Sequence, residues 1–260
     1  MNETAVSTRH RLAAMLLTPA VLLALWALLS PGSAIPTPGA VLAEIVNSWS
    51  SPAFVLGVLR SLQRVAIATA IAIAISVPLA VLVARSNLVS GVLLRLVNGF
   101  RPIAPMAWIP IAILWFGSSD GSAIFIVAYA AFFPIFANLV DGIRSVNPRL
   151  IQAAKILGAS PIARARRVLA PAILPYFLVG VRIGLASGWG AIIAAELAIG
   201  ARGDAYASAG IGQMMYIAIA YDINLVRIIS LMLTVGLIAL LFDIVLRAIR
   251  DRLVFWYQGQ

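Results

Sequence analysis

NPRLIQAAKILGASPIARARRVLAPAILP, residues 147–175, is the stretch whose reading decides how the rest of the chain is arranged. Charge keeps returning within it, at Arg149, Lys155, Arg164, Arg166 and Arg167, while strongly apolar runs lie on both sides. A segment this charged belongs in water, so it joins two buried runs rather than continuing them. The spacing predicts two short helices: Asn147 as N-cap with Pro148 at the first helical position, Gly158 as a stop, and Ser160-Pro161 as a restart. Ile151, Ala154 and Leu157 share one side of the first helix, and Ile162, Ala165 and Leu169 one side of the second, with arginines opposite. A compact basic unit of this kind either rests on lipid headgroups or is presented to a protein partner.

Composition explains what the flanking runs are. Of 260 residues 62% are hydrophobic and 11% charged, and the mean hydropathy is +1.02. That leaves too little polar surface for a soluble globule, so the chain is an integral membrane protein. A span takes about 20 apolar residues, which leaves room for roughly five to seven helices and no separate soluble catalytic domain. Cysteine is absent and the single histidine, His10, lies in the N-terminal tail. Thiol chemistry and a histidine-based metal site inside the membrane are therefore excluded. The net charge of +10 does not indicate nucleic acid, because the arginines cluster at the ends of apolar runs.

In chain order the apolar runs are 12–29, 65–84, 102–117, 122–140, 176–199 and 224–246. The first has basic residues before it and small residues after it, as a signal peptide would, but its length favours a retained span. Residues 39–55 read as a short outer loop, Arg85 to Arg101 as a basic inner connection, and 211–220 as a re-entrant or surface helix too short to cross. Pro78 marks a kink, and Pro102, Pro105 and Pro110 interrupt the third span. Such breaks are tolerated only where protein or a water-filled cavity satisfies the freed backbone groups. Six spans put Arg9, Arg11, Arg85, Arg95, Arg101, Arg144, the 147–167 cluster and the C-terminal arginines on one side, with both termini cytoplasmic. Gly180, Gly184, Gly188 and Gly190 form a small-residue face for close helix contact, within one chain or between two copies.

No GxxxxGK[ST] phosphate loop is present, so a driving ATPase belongs to another subunit. Asp141, Asp222 and Asp243 fall at predicted helix ends and Glu196 near the outer end of the fifth span, which argues against ion-coupled transport through central carboxylates. A secondary transporter or channel not driven by ATP is the alternative. A membrane-embedded enzyme lacks a polar catalytic set at one depth.

The order Gln152-Ala153-Ala154, three residues, Gly158, nine residues, Val168-Leu169-Ala170-Pro171 resembles the cytoplasmic loop EAA-x3-G-x9-I-x-LP of bacterial ABC importer permeases. Gln152 stands where that pattern has Glu, Val168 where it has Ile, and Ala170 where it has Leu. Arg101-Pro102, Trp108-Ile109-Pro110, Leu114-Trp115-Phe116-Gly117, Gly180-Val181-Arg182-Ile183-Gly184 and Ala194-Ala195-Glu196 resemble the nitrate/sulfonate/taurine/bicarbonate branch. The resemblance implies an all-α polytopic fold of the type I importer permeases, with about six transmembrane helices. A cytoplasmic tail at 1–11 would be followed by a permease domain at 12–250 with a coupling loop at 147–170, and by a second tail at 251–260. It also implies a homodimer in the bacterial inner membrane, two ATP-binding cassette subunits that hold ATP and Mg, and an extracytoplasmic solute-binding protein. Docking of the ATPase would fall on Gln152, Ala153, Ala154, Gly158, Ala159 and Ser160, while Arg182, Trp189 and Glu196 are the pathway candidates in the fifth span. For Arg182 a structural pairing with an acid such as Asp141 competes with a place on the path of a small anion.

Overall fold

The structure, a computed structural model, describes residues 8–31, 35–200 and 209–254, and among these every regular element is helical. The tails at 1–7 and 255–260 and the polar segment 201–208, which carries Arg202 and Asp204, lie outside the described residues. In order come α1 (Thr8–Leu29), α2 (Pro38–Trp49), α3 (Pro52–Arg85), α4 (Asn87–Phe100), a 3-10 turn (Pro105–Trp108), α5 (Ile109–Phe116) and α6 (Asp120–Ser145). Then follow α7 (Pro148–Ile156), α8 (Pro161–Ile199), α9 (Ile211–Ala220) and α10 (Leu225–Leu253). Four of these, α3, α6, α8 and α10, are long and apolar enough to cross a membrane. The segments Asn87–Phe100 and Pro105–Phe116, bent by 87° at the break, are together long and apolar enough for one more, and α1 carries a shorter apolar stretch, Leu17–Leu29.

Two boundaries differ from the sequence expectation. The stretch 39–55 is no loop: Thr37 Oγ1 accepts from Ala40 N at 3.3 Å, Pro38 opens α2, and α3 already starts at Pro52 instead of Val65. The cap and the N1 proline are ordinary start signals that the absence of lysine and arginine obscured. Likewise the stretch Arg85 to Arg101 is mostly helix, capped by Ser86 Oγ, which accepts from Val89 N at 3.4 Å. The third span is thus a broken helix with its first arm in that basic stretch.

At the centre stands α6, packed along α8 on one flank and α3 on the other. Its contact with α8 is closed by the glycine stripe. A Cβ on Gly180 would sit 2.9 Å from Asn138 Cβ, and one on Gly184 would sit 2.9 Å from Ile135 Cγ1. At Gly188 the nearest atom would be Val127 Cγ1 at 3.1 Å. The small-residue face therefore serves packing within the chain, except at Gly190, where an added Cβ meets nothing within 4 Å. The short helix α9 is not on the surface either. It inserts between α8 and α10 with Ile211 and Ala218 fully buried.

Candidate functional site

Three places carry polar chemistry beyond simple packing. At the Asp120 end of α6, Arg64 of α3 donates from Nη1 to Glu196 Oε1 at 2.6 Å and from Nη2 to Asp120 Oδ1 at 3.0 Å. Ser61 Oγ donates to the Glu196 carboxylate at 2.9 Å and accepts from Ile211 N at 3.0 Å, while Gly212 N donates to Glu196 Oε2 at 2.9 Å. Glu196 is 0% exposed and Arg64 5%. Charges this deep persist only when paired and fully hydrogen-bonded. The network ties α3, α6, α8 and α9 together, and the backbone of α9 is close because Gly212 has no side chain: a Cβ there would lie 2.6 Å from Ile193 O.

Arg182, Trp189 and Glu196 recur every seven residues along one stripe of α8, so they share a direction, yet the structure ties each to something different. Arg182 pairs with Asp243 of α10, with Nη2 to Oδ1 at 2.5 Å and Nε to Oδ1 at 2.6 Å, and Arg247 joins the same carboxylate. Asp141 is not its partner, which corrects the sequence expectation; the pairing runs to the helix beside α8. Trp189 Nε1 donates to Val235 O at 3.0 Å and its ring meets Phe242 edge-on.

The second place is the bend between α4 and α5. Tyr129 Oη donates to Phe100 O at 2.7 Å and Ile103 O at 3.3 Å, and so occupies carbonyls that the break sets free. Beside it a cavity of about 410 Å³ is bounded by the bend, by α6 and by α8. Arg101 and Ser187 line it, and the sequence reading placed neither there. The signal was present in the prolines after Arg101, since interrupted membrane helices frame binding sites. Because α4 is helical, the chain carries Arg101 to the level of Tyr129. Among the described residues no three His, Cys, Asp or Glu side chains gather as metal ligands.

The third place is the 147–162 unit. Asn147 Oδ1 accepts from Arg149 N at 2.9 Å and Ser160 Oγ from Ala163 N at 3.2 Å, and Gly158 turns the chain at φ +76°. Around that turn Ile156, Leu157 and Ile162 are 86%, 85% and 79% exposed. Leu157 thus departs from Ile151 and Ala154, which are half-buried, because it caps the helix rather than continuing its stripe. Gln152, Ala153 and Ser160 are exposed as well, and Ala159 N donates back to Ala154 O at 3.0 Å.

The profile of the family described as "Binding-protein-dependent transport system inner membrane component" matches residues 72–255. The taurine transport system permease protein TauC of Escherichia coli is 32% identical over 251 residues, 92% of this chain and 88% of that protein. The nitrate import permease protein NrtB of a Synechocystis species is 32% identical over 236 residues, 86% of this chain and 82% of that protein. In fold the chain is similar to a chain of the inward-facing MetNI methionine ABC transporter, with a TM-score of 0.60, 21% identity, and coverage of 77% and 96%.

Proposed function

This chain belongs to the binding-protein-dependent inner membrane components, the permease subunits of ABC importers, and on that premise we propose that it carries a small anion across the bacterial inner membrane. Taurine and nitrate, the solutes in its relatives' names, share an oxyanion group. ATP and Mg belong to two separate ATP-binding cassette subunits, since the chain has no phosphate loop of its own. The working assembly is a pair of these chains with two such subunits beneath and a solute-binding protein outside. Both termini lie in the cytoplasm.

The observation that carries this reading is the apolar cluster of Ile156, Leu157 and Ile162 around the Gly158 turn. These side chains are exposed on a capped, basic helical unit that runs directly into α8. Burying them against lipid would leave Arg149, Lys155 and the arginines of 164–167 at one interface, whereas a cleft in a soluble partner satisfies both faces. Gln152, Ala153, Ala154, Gly158, Ala159 and Ser160 form the rim of that contact. Along α8, Arg182, Trp189 and Glu196 are proposed to border the path. Copurification from a strain expressing the ATPase tests the docking: Leu157→Asp with Ile162→Asp should reach the membrane and lose the ATPase. Retention of the ATPase at wild-type stoichiometry would place docking elsewhere.

A further inference from the structure

We propose that the cavity at the bend between α4 and α5 is a site for an organic anion, with Arg101 holding the charged oxygen atoms and the apolar wall holding the rest of the molecule. This inference rests on the anion-importer reading and deepens it. Depth comes first. Phe100 and Ile103 are tied to Tyr129, which stands nine residues inside α6 from Asp120, about 14 Å along the helix axis. In the other direction Arg144 of α6 reaches Ser90 of α4 at 3.0 Å, so α4 climbs from the basic end of the bundle toward Tyr129. Arg101 therefore lies within the apolar zone, where a guanidinium is costly unless it meets water, protein or a ligand.

Charge and partners come next. Among the described residues Arg101 is the one charged side chain that lines the cavity. Among the described residues its guanidinium makes no ion pair or hydrogen bond, in contrast to Arg64 and Arg182. Ser187 Oγ on the facing wall is likewise without a partner among them. Tyr129 is not a donor here, because its proton is committed to the backbone of the break. Two donor groups face a cavity otherwise bounded by groups such as Met106 and Phe133. Nitrate or bicarbonate exposes polar oxygens on every side and would leave some unsatisfied against that wall. A short alkyl sulfonate or an aromatic carboxylate concentrates its oxygens at one end, which a guanidinium accepts in bidentate fashion. Its apolar body then meets the wall, and the volume suits a small organic solute.

The test is initial-rate uptake by the complete complex, with its ATPase and solute-binding protein, in proteoliposomes, using labelled butanesulfonate, benzoate and nitrate. Wild type should take up an organic anion in preference to nitrate. Arg101→Gln should lower that uptake by roughly tenfold or more, the loss expected for one charge-assisted contact, while the variant still copurifies with the ATPase. Arg101→Lys should recover part of the loss. Gly190→Leu is the second variant: an added Cβ meets nothing within 4 Å, so the bundle accepts the residue while its side chain enters the cavity. It should cut benzoate uptake severalfold. Unchanged organic-anion uptake in Arg101→Gln and Gly190→Leu would overturn the site and leave the importer reading intact. Preference for nitrate would overturn the organic ligand alone. If wild type takes up none of the three anions, the anion reading itself fails.

Discussion

The two ends of α8 treat their chemistry in opposite ways. At the Glu196 end the polar groups are matched to one another, so that Arg64, Ser61 and the start of α9 close around one buried carboxylate while Asp120 accepts from Arg64 at the rim. At the Pro161 end the local polar groups are spent on caps, and three large apolar side chains are left in the open. The first arrangement is complete within one chain. The second leaves Ile156, Leu157 and Ile162 uncovered within this chain, and the contrast separates a closed network from an open surface.

Substitutions that cut into one end or the other test the contrast. The largest effect is expected at the closed end. Glu196→Ala removes the buried partner of the Arg64 guanidinium, and loss of one partner of a buried pair costs about 3–5 kcal/mol. The detergent-solubilised protein should melt at a markedly lower temperature. Replacing both partners, Arg64→Met with Glu196→Leu, should be less damaging than Glu196→Ala alone; equal or worse damage would mean that the network contributes more than mutual neutralisation. At the open end Gly158→Val forces a β-branched residue to φ +76°. The strain is about 1 kcal/mol or more, with little change in melting and weaker ATPase association or uncoupled transport. Normal coupling in that variant would remove the turn from the docking surface. The smallest shift in stability belongs to Arg182→Gln. Its pair with Asp243 is 32% and 27% exposed, and such half-open pairs contribute roughly 0–1 kcal/mol. Uptake should nevertheless fall if Arg182 borders the path, and unchanged uptake would make it a residue of helix packing.

The open end was legible in the sequence because its devices are local. Asn147, Pro148, Gly158 and Ser160 each act on backbone groups within three residues, so spacing alone placed both helices and the turn. The closed end was not. Arg64 and Glu196 are 132 positions apart, and each reads singly as a charge near a span's outer end. Nothing in the local pattern selects Asp243 over Asp141 for Arg182 either; that choice is made by α10 lying along α8. The neighbours of Arg101 were hidden for a different reason. Counting arginines by position assigns them to a surface but does not say which helices each one meets. The proline interruptions showed that the third span was broken, but not that its basic approach was helical and brought Arg101 beside Tyr129 and Ser187.

One consequence of the continuous α8 is mechanical. From Pro161 to Ile199 it is one helix 39 residues long, and the glycine stripe brings α6 against it partway along. Measured from Gly184, the arm toward Pro161 is about 35 Å and the arm toward Ile199 about 22 Å. A rigid rotation about Gly184 would move the Ile199 tip roughly two-thirds as far as the Pro161 tip. That far tip is clamped by the Arg64 guanidinium. On the long arm lies the π-helical turn Ala165–Leu169, whose closing bond runs from Ala170 N to Ala165 O. The one irregular turn of this helix among the described residues thus falls beside the exposed apolar cluster, at the opposite end from the buried ion pair.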